Sequence, residues 1–462
     1  MSGRTHRCVT LAGSVVGAVL VALDGTVLTV AQPALQDDLG ASLAQVQWTS
    51  TGYLIAVASL LVFAGRLGDR YGHTRLFGYG MLGFAASSAG VGFAPDIRWV
   101  IALRMVQGVC GALLQPATLG MLRAAYPAES LGMPIALRTS AIGLAAATGP
   151  LVGGVLTAHL GWRSVFFLGV LPAAAIAVLV LLVRDRAPSP EPRTAGLDPV
   201  GALLLAVALG CLVAALAALP GAGWSAGTVL LAAGAGTALA AFVVHERRAK
   251  DPLLSPALLA SPAVATALGI LLTASAALFG TLFTATYFLQ DVLGLDPLGT
   301  ALRMLPAALC MVLAAPLTPV LLRRCGTRAT TAGGTLLLAA GVFGFGRLDT
   351  SASQLAISAS AFAMGTGFGT VLVGATECLV RRADLGAAGV AGGLQQTAMN
   401  VGPTLGVATA TTLLASGTDF VASMGVTLTA LAVPLLVAGA VAIRLPGRTA
   451  RRGSARARTE TP

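Results

Sequence analysis

The sequence predicts an all-α membrane protein that crosses the bilayer fourteen times, and three observations carry that expectation. Hydrophobic residues make up 56% of the 462-residue chain and charged residues only 10%, against roughly 45–50% apolar usage in soluble domains. Apolar runs of about 20 residues, the length a helix needs to cross the hydrocarbon layer, recur along it. Twenty-three of the twenty-nine Lys and Arg residues fall in every second gap between those runs, which is the bias of cytoplasmic segments. The net charge of +11 is therefore a topology signal. It is not a nucleic-acid surface, because no basic patch is interleaved with aromatics in a soluble stretch.

The runs lie at 11–34, 46–64, 76–94, 99–122, 133–157, 164–183, 199–220, 226–244, 263–288, 301–322, 329–346, 354–377, 387–415 and 420–443. With both termini in the cytoplasm, the basic clusters at Arg4 and Arg7, at Arg66, Arg70 and Arg75, at Arg323, Arg324 and Arg328, and in the tail from Arg444 all stay inside. Only Arg98, Arg163 and Arg347 fall outside, while Arg104, Arg138 and Arg303 sit within spans. The first run follows ten mostly polar residues without a small-residue cleavage pattern, so it is expected to remain as a helix. The tail, 445–462, is basic and suited either to anionic inner-leaflet lipid or simply to fixing topology. The six cysteines are scattered without metal-ligand spacing, so neither a disulfide, a metal nor a cofactor is expected.

An internal repeat divides the chain. Leu35-Gln-Asp-Asp-Leu-Gly40 recurs as Leu289-Gln-Asp-Val-Leu-Gly294, Arg70 and Gly72 recur as Arg324 and Gly326, and Thr148 to Gly154 answers to Val401 to Val407, with shifts of 254, 254 and 253 residues. Two six-helix halves, 1–183 and 263–444, are therefore expected to flank a linker and two inserted helices within 184–262.

Between the second and third runs lies Gly65-Arg-Leu-Gly-Asp-Arg-Tyr-Gly-His-Thr-Arg75, a charged loop punctuated by glycine. It resembles motif A of the major facilitator superfamily through Gly65, Leu67, Asp69, Arg70 and Gly72, with His73 and Thr74 where the family has basic residues. Arg104, Gln107, Gly108 and Gly111 resemble motif B. Gly149, Pro150, Gly153 and Gly154 resemble motif C, which marks exporters. Asp24 to Pro33 is similar to the first-helix signature of the fourteen-helix drug:proton antiporters, with Thr29 and Gln32 as departures. The resemblance implies the major facilitator fold, a proton-coupled exporter of amphipathic or hydrophobic small molecules in the bacterial inner membrane, and a monomer whose partners are substrate, protons and lipids, with no nucleic acid.

Physical chemistry gives the same residues work. Asp24 lies about ten residues before the outer end of its run, roughly 15 Å deep at 1.5 Å per residue, where an ionised carboxylate costs on the order of 2.5–3.5 kcal/mol unless paired, hydrated or protonated. Arg104 is placed to reach it, so Asp24 and Arg104 form the expected proton-coupling pair, the alternative being an outward-snorkelling arginine beside a permanently wet carboxylate. Gly65, Asp69, Arg70 and Gly72 are the expected gate; Gly149-Pro150 bends its helix while Gly153 and Gly154 admit a close neighbour. Gln32, Gln115, Arg138, Gln395, Gln396 and Asn400 are the expected cavity lining, Arg138 facing either the cavity or the cytoplasm. Glu377 stands four residues before Arg381, an i, i+4 pair or a second proton site.

The one lysine, Lys250, follows Ala249, so no Gly-Lys-Ser/Thr phosphate loop exists to use ATP. Catalytic signatures are missing and an enzyme is not expected. Import of a nutrient by proton symport and a non-transporting membrane receptor are the alternatives to export.

Overall fold

The computed structural model describes residues 3–182, 197–249, 251–254, 261–383, 387–415, 419–442 and 445. Arg184, Arg186, Arg193, Lys250 and the basic residues of the tail lie outside the described residues, so part of the expected charge asymmetry is carried by sequence alone.

Among the described residues every long element is a helix. In chain order they are α1 (Gly3–Leu39), α2 (Leu43–Tyr71), α3 (His73–Gly92), α4 (Ile97–Ala125), α5 (Gly132–Leu160), α6 (Arg163–Phe167), α7 (Val170–Leu182), α8 (Pro199–Ala222), α9 (Ala226–Glu246), α10 (Pro262–Tyr287), α11 (Pro297–Phe345), α12 (Gln354–Arg382), α13 (Ala388–Ala415) and α14 (Phe420–Val441). Eleven helical stretches are long and apolar enough to cross a membrane, which supports the all-α membrane class.

Short polar residues start the helices. Ser42 and Gln45 form a reciprocal capping box before α2, Asp96 accepts from the amides of Arg98 and Trp99 before α4, and Asp198 with Pro199 opens α8. Each satisfies amides that have no partner in the first turn. Pro33, Pro116, Pro150 and Pro403 lie inside helices that continue past them, as bilayer helices packed on neighbours tolerate.

The helix count departs from expectation. Among the described residues thirteen long helices are counted against the fourteen expected, because 301–322 and 329–346 follow each other without a loop as the two arms of α11. Gly326 interrupts it with a left-handed backbone, φ 84° and ψ 163°. Side chains added at Gly365 and Gly369 of α12 would strike Ala307 and Met311, whereas Gly341 abuts Met364 and Gly334 abuts Thr370. The first arm of α11 thus runs alongside α12 and the second runs against it. The span expected at 164–183 is also divided, into α6 and α7, by a turn at Leu168 and Gly169.

The repeat is visible in backbone geometry. Gly40 and Gly294 have φ of 57° and 65°, and Gly72 and Gly326 have φ of 97° and 84°. Both pairs stand 254 residues apart, and both occupy a region that a Cβ disfavours. One buried core, including Ile270, Phe288, Phe345, Met364 and Leu428, is drawn from α10, α11, α12 and α14 and from the turn following α10. Another, with Tyr53, Leu61, Phe77, Met81 and Leu114, is drawn from α1 to α4 and α7. The pair α8 and α9 packs through Ala202, Leu205 and Phe242 onto Val62, Leu379 and Val390.

Candidate functional site

The buried charge centre stands where α1, α2 and α4 meet. Arg104 Nη1 donates to Asp24 Oδ2 at 2.6 Å and to Gln107 Oε1 at 2.6 Å. Its Nε donates to the Thr49 carbonyl at 3.2 Å, and Gln107 Nε2 donates to Asp24 Oδ1 at 3.0 Å. Both carboxylate oxygens therefore have a donor, which offsets the burial of the group. The Arg104 side chain is 1% exposed and that of Asp24 9%. Arg104 does not snorkel.

The Tyr53 ring forms the floor of this site, with the guanidinium 4.4 Å from its centroid. A Cβ at Gly108 would come within 2.6 Å of the Tyr53 carbonyl oxygen, so glycine there is what lets α4 close on α2. The Tyr53 hydroxyl is buried without a hydrogen-bond partner. On its other side Asp24 opens into a small crevice with Leu20, Phe84, Ser88, Phe166 and Gly169.

The motif C glycines support this centre from α5. A Cβ at Gly149 would collide with the Thr26 side chain, and one at Gly153 would lie 3.0 to 3.1 Å from Val27 side-chain and backbone atoms. These contacts fall two and three residues after Asp24, so α5 fixes the segment of α1 that carries the carboxylate. Gly154 departs from the expectation: its added Cβ would meet only Val30 Cγ1 at 3.9 Å. Pro150 is exposed.

The segment 65–75, expected as a loop, is the last turns of α2, the single turn residue Gly72 and the start of α3, and it stands at a second meeting point, against the first turn of α13. Asp69 Oδ1 accepts the Gly389 amide at 2.8 Å and Oδ2 the Val390 amide at 3.0 Å, capping the first turn of α13. Gly65 and Gly389 face each other so closely that a Cβ on either would strike the other's carbonyl oxygen, and Gly393 does the same on Leu61. His73 Nε2 reaches Asp69 Oδ1 at 3.1 Å. Arg70 takes no part: it is exposed and lies over the Tyr71 ring. Gly72 supplies the left-handed turn between α2 and α3.

The residues expected to line one cavity are placed apart. Gln115 accepts from Gln396 Nε2, joining α4 to α13. Asn400 Nδ2 donates to the Gln396 carbonyl at 2.8 Å, and Gln395 is buried with Oε1 unpartnered. Gln32 instead donates to Ser50 Oγ at 3.0 Å, within the α1–α2 pair. Arg138 is 4% exposed and so does not reach out of the protein; its Nε has no hydrogen-bond partner. It shares the α5 face of Gly149 and Gly153 by helical spacing. Glu377 pairs with Arg381 at 3.4 Å and lies against Gly132 of α5.

The sequence alone points to none of Thr49, Tyr53 and His73 in these contacts, whereas Gln396 belongs with Gln115, Gln395 and Asn400 in the expected cavity lining. In the sequence Gln107 stands out only as part of the motif B resemblance. The signals for a carbonyl acceptor or a ring under a guanidinium are tertiary, whereas polar Gln396 and the departure at His73 were readable.

A helical membrane protein with a buried Asp–Arg pair, and with glycine-to-backbone contacts joining its two repeats, has the architecture of a secondary transporter. The Major Facilitator Superfamily family model matches residues 15–407, and the chain belongs to that superfamily. It is a multi-pass transporter and not an enzyme. The chain is 39% identical to the tetracenomycin C resistance and export protein of Streptomyces glaucescens over 410 residues, covering 88% of this chain and 76% of that one. It is 34% identical to the puromycin resistance protein of Streptomyces alboniger, covering 87% and 80%, and 32% identical to the methylenomycin A resistance protein of Streptomyces coelicolor, covering 96% and 93%. In fold it is similar to the proton:xylose symporter XylE, with TM-score 0.68 at 14% identity over 96% of this chain and 97% of that one. The human organic anion transporter MFSD10 gives 0.66 at 15% identity over 96% and 100%.

Proposed function

We propose that the chain is a monomeric proton-coupled exporter of amphipathic small molecules, working in the bacterial inner membrane with both termini in the cytoplasm. The buried Asp24–Arg104 pair carries this reading. Protonation of Asp24 removes one charge of the pair and weakens the hold of α4 on α1, so proton occupancy and helix arrangement are linked. The relatives named for resistance and export support the outward direction.

In this reading 1–183 and 263–444 are the two moving halves, 184–262 holds the inserted pair, and dividing α11 at Gly326 gives fourteen crossings. Asp69 on the amides of Gly389 and Val390, with Gly65, forms the gate on the cytoplasmic side; Gln115 and Gln396 close the path above it. Gln395 and Asn400 face substrate on that path, while Arg138 and Gln32 serve the α1 contacts. The test is purified protein in proteoliposomes: a pH gradient should drive substrate against its own gradient in the export direction. Accumulation in the import direction would favour nutrient symport, and no counterflow with any amphipathic compound would remove the transport reading.

A further inference from the structure

We propose that His73 is a positioning residue that makes the Asp69 latch respond to pH on the side of the membrane where the latch lies. This rests on the reading above of two moving halves with a gate at Asp69.

The imidazole sits inside the latch. Its side chain is 11% exposed and that of Asp69 3%. The recess is made by absent side chains: a Cβ on Gly68, Gly120 or Gly389 would run into the His73 ring. Those glycines belong to α2, α4 and α13, so the ring touches the far repeat as well as its own. Its Nδ1 is buried without a hydrogen-bond partner, while Nε2 meets Asp69 Oδ1. One ring nitrogen is therefore committed to the latch carboxylate, and the other has none to hold a second proton.

The charged and titratable groups around the ring are few. Asp69 faces it from α2; Arg123 stands on α4 one turn beyond Gly120, with its own Nε buried and unpartnered. Arg75 lies two residues further along α3, and α13 offers no titratable side chain between Ala388 and Asn400. The α13 side contributes instead the positive end of its helix, because Gly389 and Val390 present their amides there.

With a neutral ring, Nε2–H donates to Asp69 and leaves the carboxylate its full negative charge to hold the two amides. A second proton on the ring places a cation against the α13 N-terminus, on the same side as Arg123 one turn beyond Gly120, and draws Asp69 charge towards His73. His73 and Asp69 remain neighbours when α13 leaves, but the repulsion from α13 does not. Acid on this side thus weakens the closed arrangement relative to the open one, and alkali strengthens it. Histidine is the side chain suited to this between about pH 5 and 8; an arginine in its place would fix the charge.

The experiment places spin labels on the exposed ends of α2 and α12, at Tyr71→Cys and Arg382→Cys, in a chain with its native cysteines replaced. The label distance is read in detergent and in vesicles from about pH 8 to about pH 5.5. The closed-to-open ratio is expected to fall on the order of fivefold on acidification. His73→Gln, which keeps a donor without a titratable proton, should flatten that response. His73→Asn serves as a second variant should the first fail to fold. An equal pH response in His73→Gln, or none in the parent chain, overturns the proposal. Asp69→Asn separates the two levels: if it opens the chain while pH does nothing, only the role of His73 fails. If it leaves the distance unchanged, the latch itself fails.

Discussion

Arg104 and Asp24, eighty residues apart in the chain, meet through Nη1 and Oδ2 at 2.6 Å in a site where the arginine side chain is 1% exposed. Three other groups hold the geometry: Gln107 bridges both partners, the Thr49 carbonyl takes Nε, and the Tyr53 ring lies beneath. Removing one member of a buried pair typically costs 3–5 kcal/mol, because the other charge is left uncompensated. A proton delivered to Asp24 perturbs the same balance without a mutation. The α1 segment concerned is held by Gly149 and Gly153 at Thr26 and Val27, so any rearrangement of the pair is felt at the α1–α5 contact.

Asp24→Asn is expected to keep substrate binding and lose coupling. The amide keeps an acceptor for Arg104 but has no proton to release. In proteoliposomes, transport driven by a pH gradient should disappear while residual substrate exchange persists and no longer depends on the sign of that gradient. Fully coupled transport by the variant would move the search to Glu377, a further acidic side chain buried within a described span.

Asp69→Asn should open the α2–α13 contact. Hydrogen bonds to charged groups contribute about 1.5–3 kcal/mol each, and the substitution weakens two of them, enough to shift a closed-to-open ratio at least tenfold. Transport at equal membrane abundance should fall accordingly. Arg70→Ala should be close to neutral, since Arg70 lies over Tyr71 outside the latch. A loss in Arg70→Ala as large as that in Asp69→Asn would mean that the loop acts through its charges at large.

The chain's class, its repeat and both polar centres were legible in sequence because their cost is local. A carboxylate in an apolar run and a glycine that needs positive φ each violate a local rule, and Asp24 is placed with partners and Gly40, Gly72, Gly294 and Gly326 at turns. The repeat could be read from Gly40, Gly72, Gly294 and Gly326 because backbone handedness is written in single residues. What could not be read depends on which faces meet. Tyr53 reads as an ordinary apolar position until α4 brings Arg104 over it. Arg138 and Gln32 resemble Gln115 as polar residues in spans, yet helix rotation places them on different contacts. The break at Gly326 could be read from Arg323, Arg324 and Arg328 and from its match to Gly72, but its tightness could not, since a reversal that keeps helical geometry on both sides leaves no polar loop of ordinary length.

Tyr53→Phe and Tyr53→Leu should separate ring from hydroxyl. The hydroxyl has no hydrogen-bond partner, so phenylalanine keeps the contact with Arg104 and should transport within about twofold of the parent. Leucine removes a cation–π contact of about 0.5–2 kcal/mol, a loss of roughly twofold to thirtyfold in the population that depends on it. Turnover against pH in both variants measures this. Equal defects would assign the work to the hydroxyl.

The three motif C glycines should not be equivalent. At Gly153 an added methyl would lie 3.0 to 3.1 Å from Val27 atoms that include its backbone, and at Gly149 it would overlap Thr26, whereas at Gly154 the nearest atom is 3.9 Å away. Overpacking of this kind costs about 1–3 kcal/mol, paid in whichever arrangement presses α1 on α5. Gly154→Ala should therefore transport like the parent. Gly153→Ala should slow turnover severalfold, and Gly153→Leu more severely, while substrate affinity changes little because these residues lie on the α1–α5 contact. The measurement is turnover and binding in parallel on protein of equal thermal stability. Normal turnover in Gly153→Leu, or a defect in Gly154→Ala matching that in Gly153→Ala, would show that the close approach to Val27 is not what motif C contributes here.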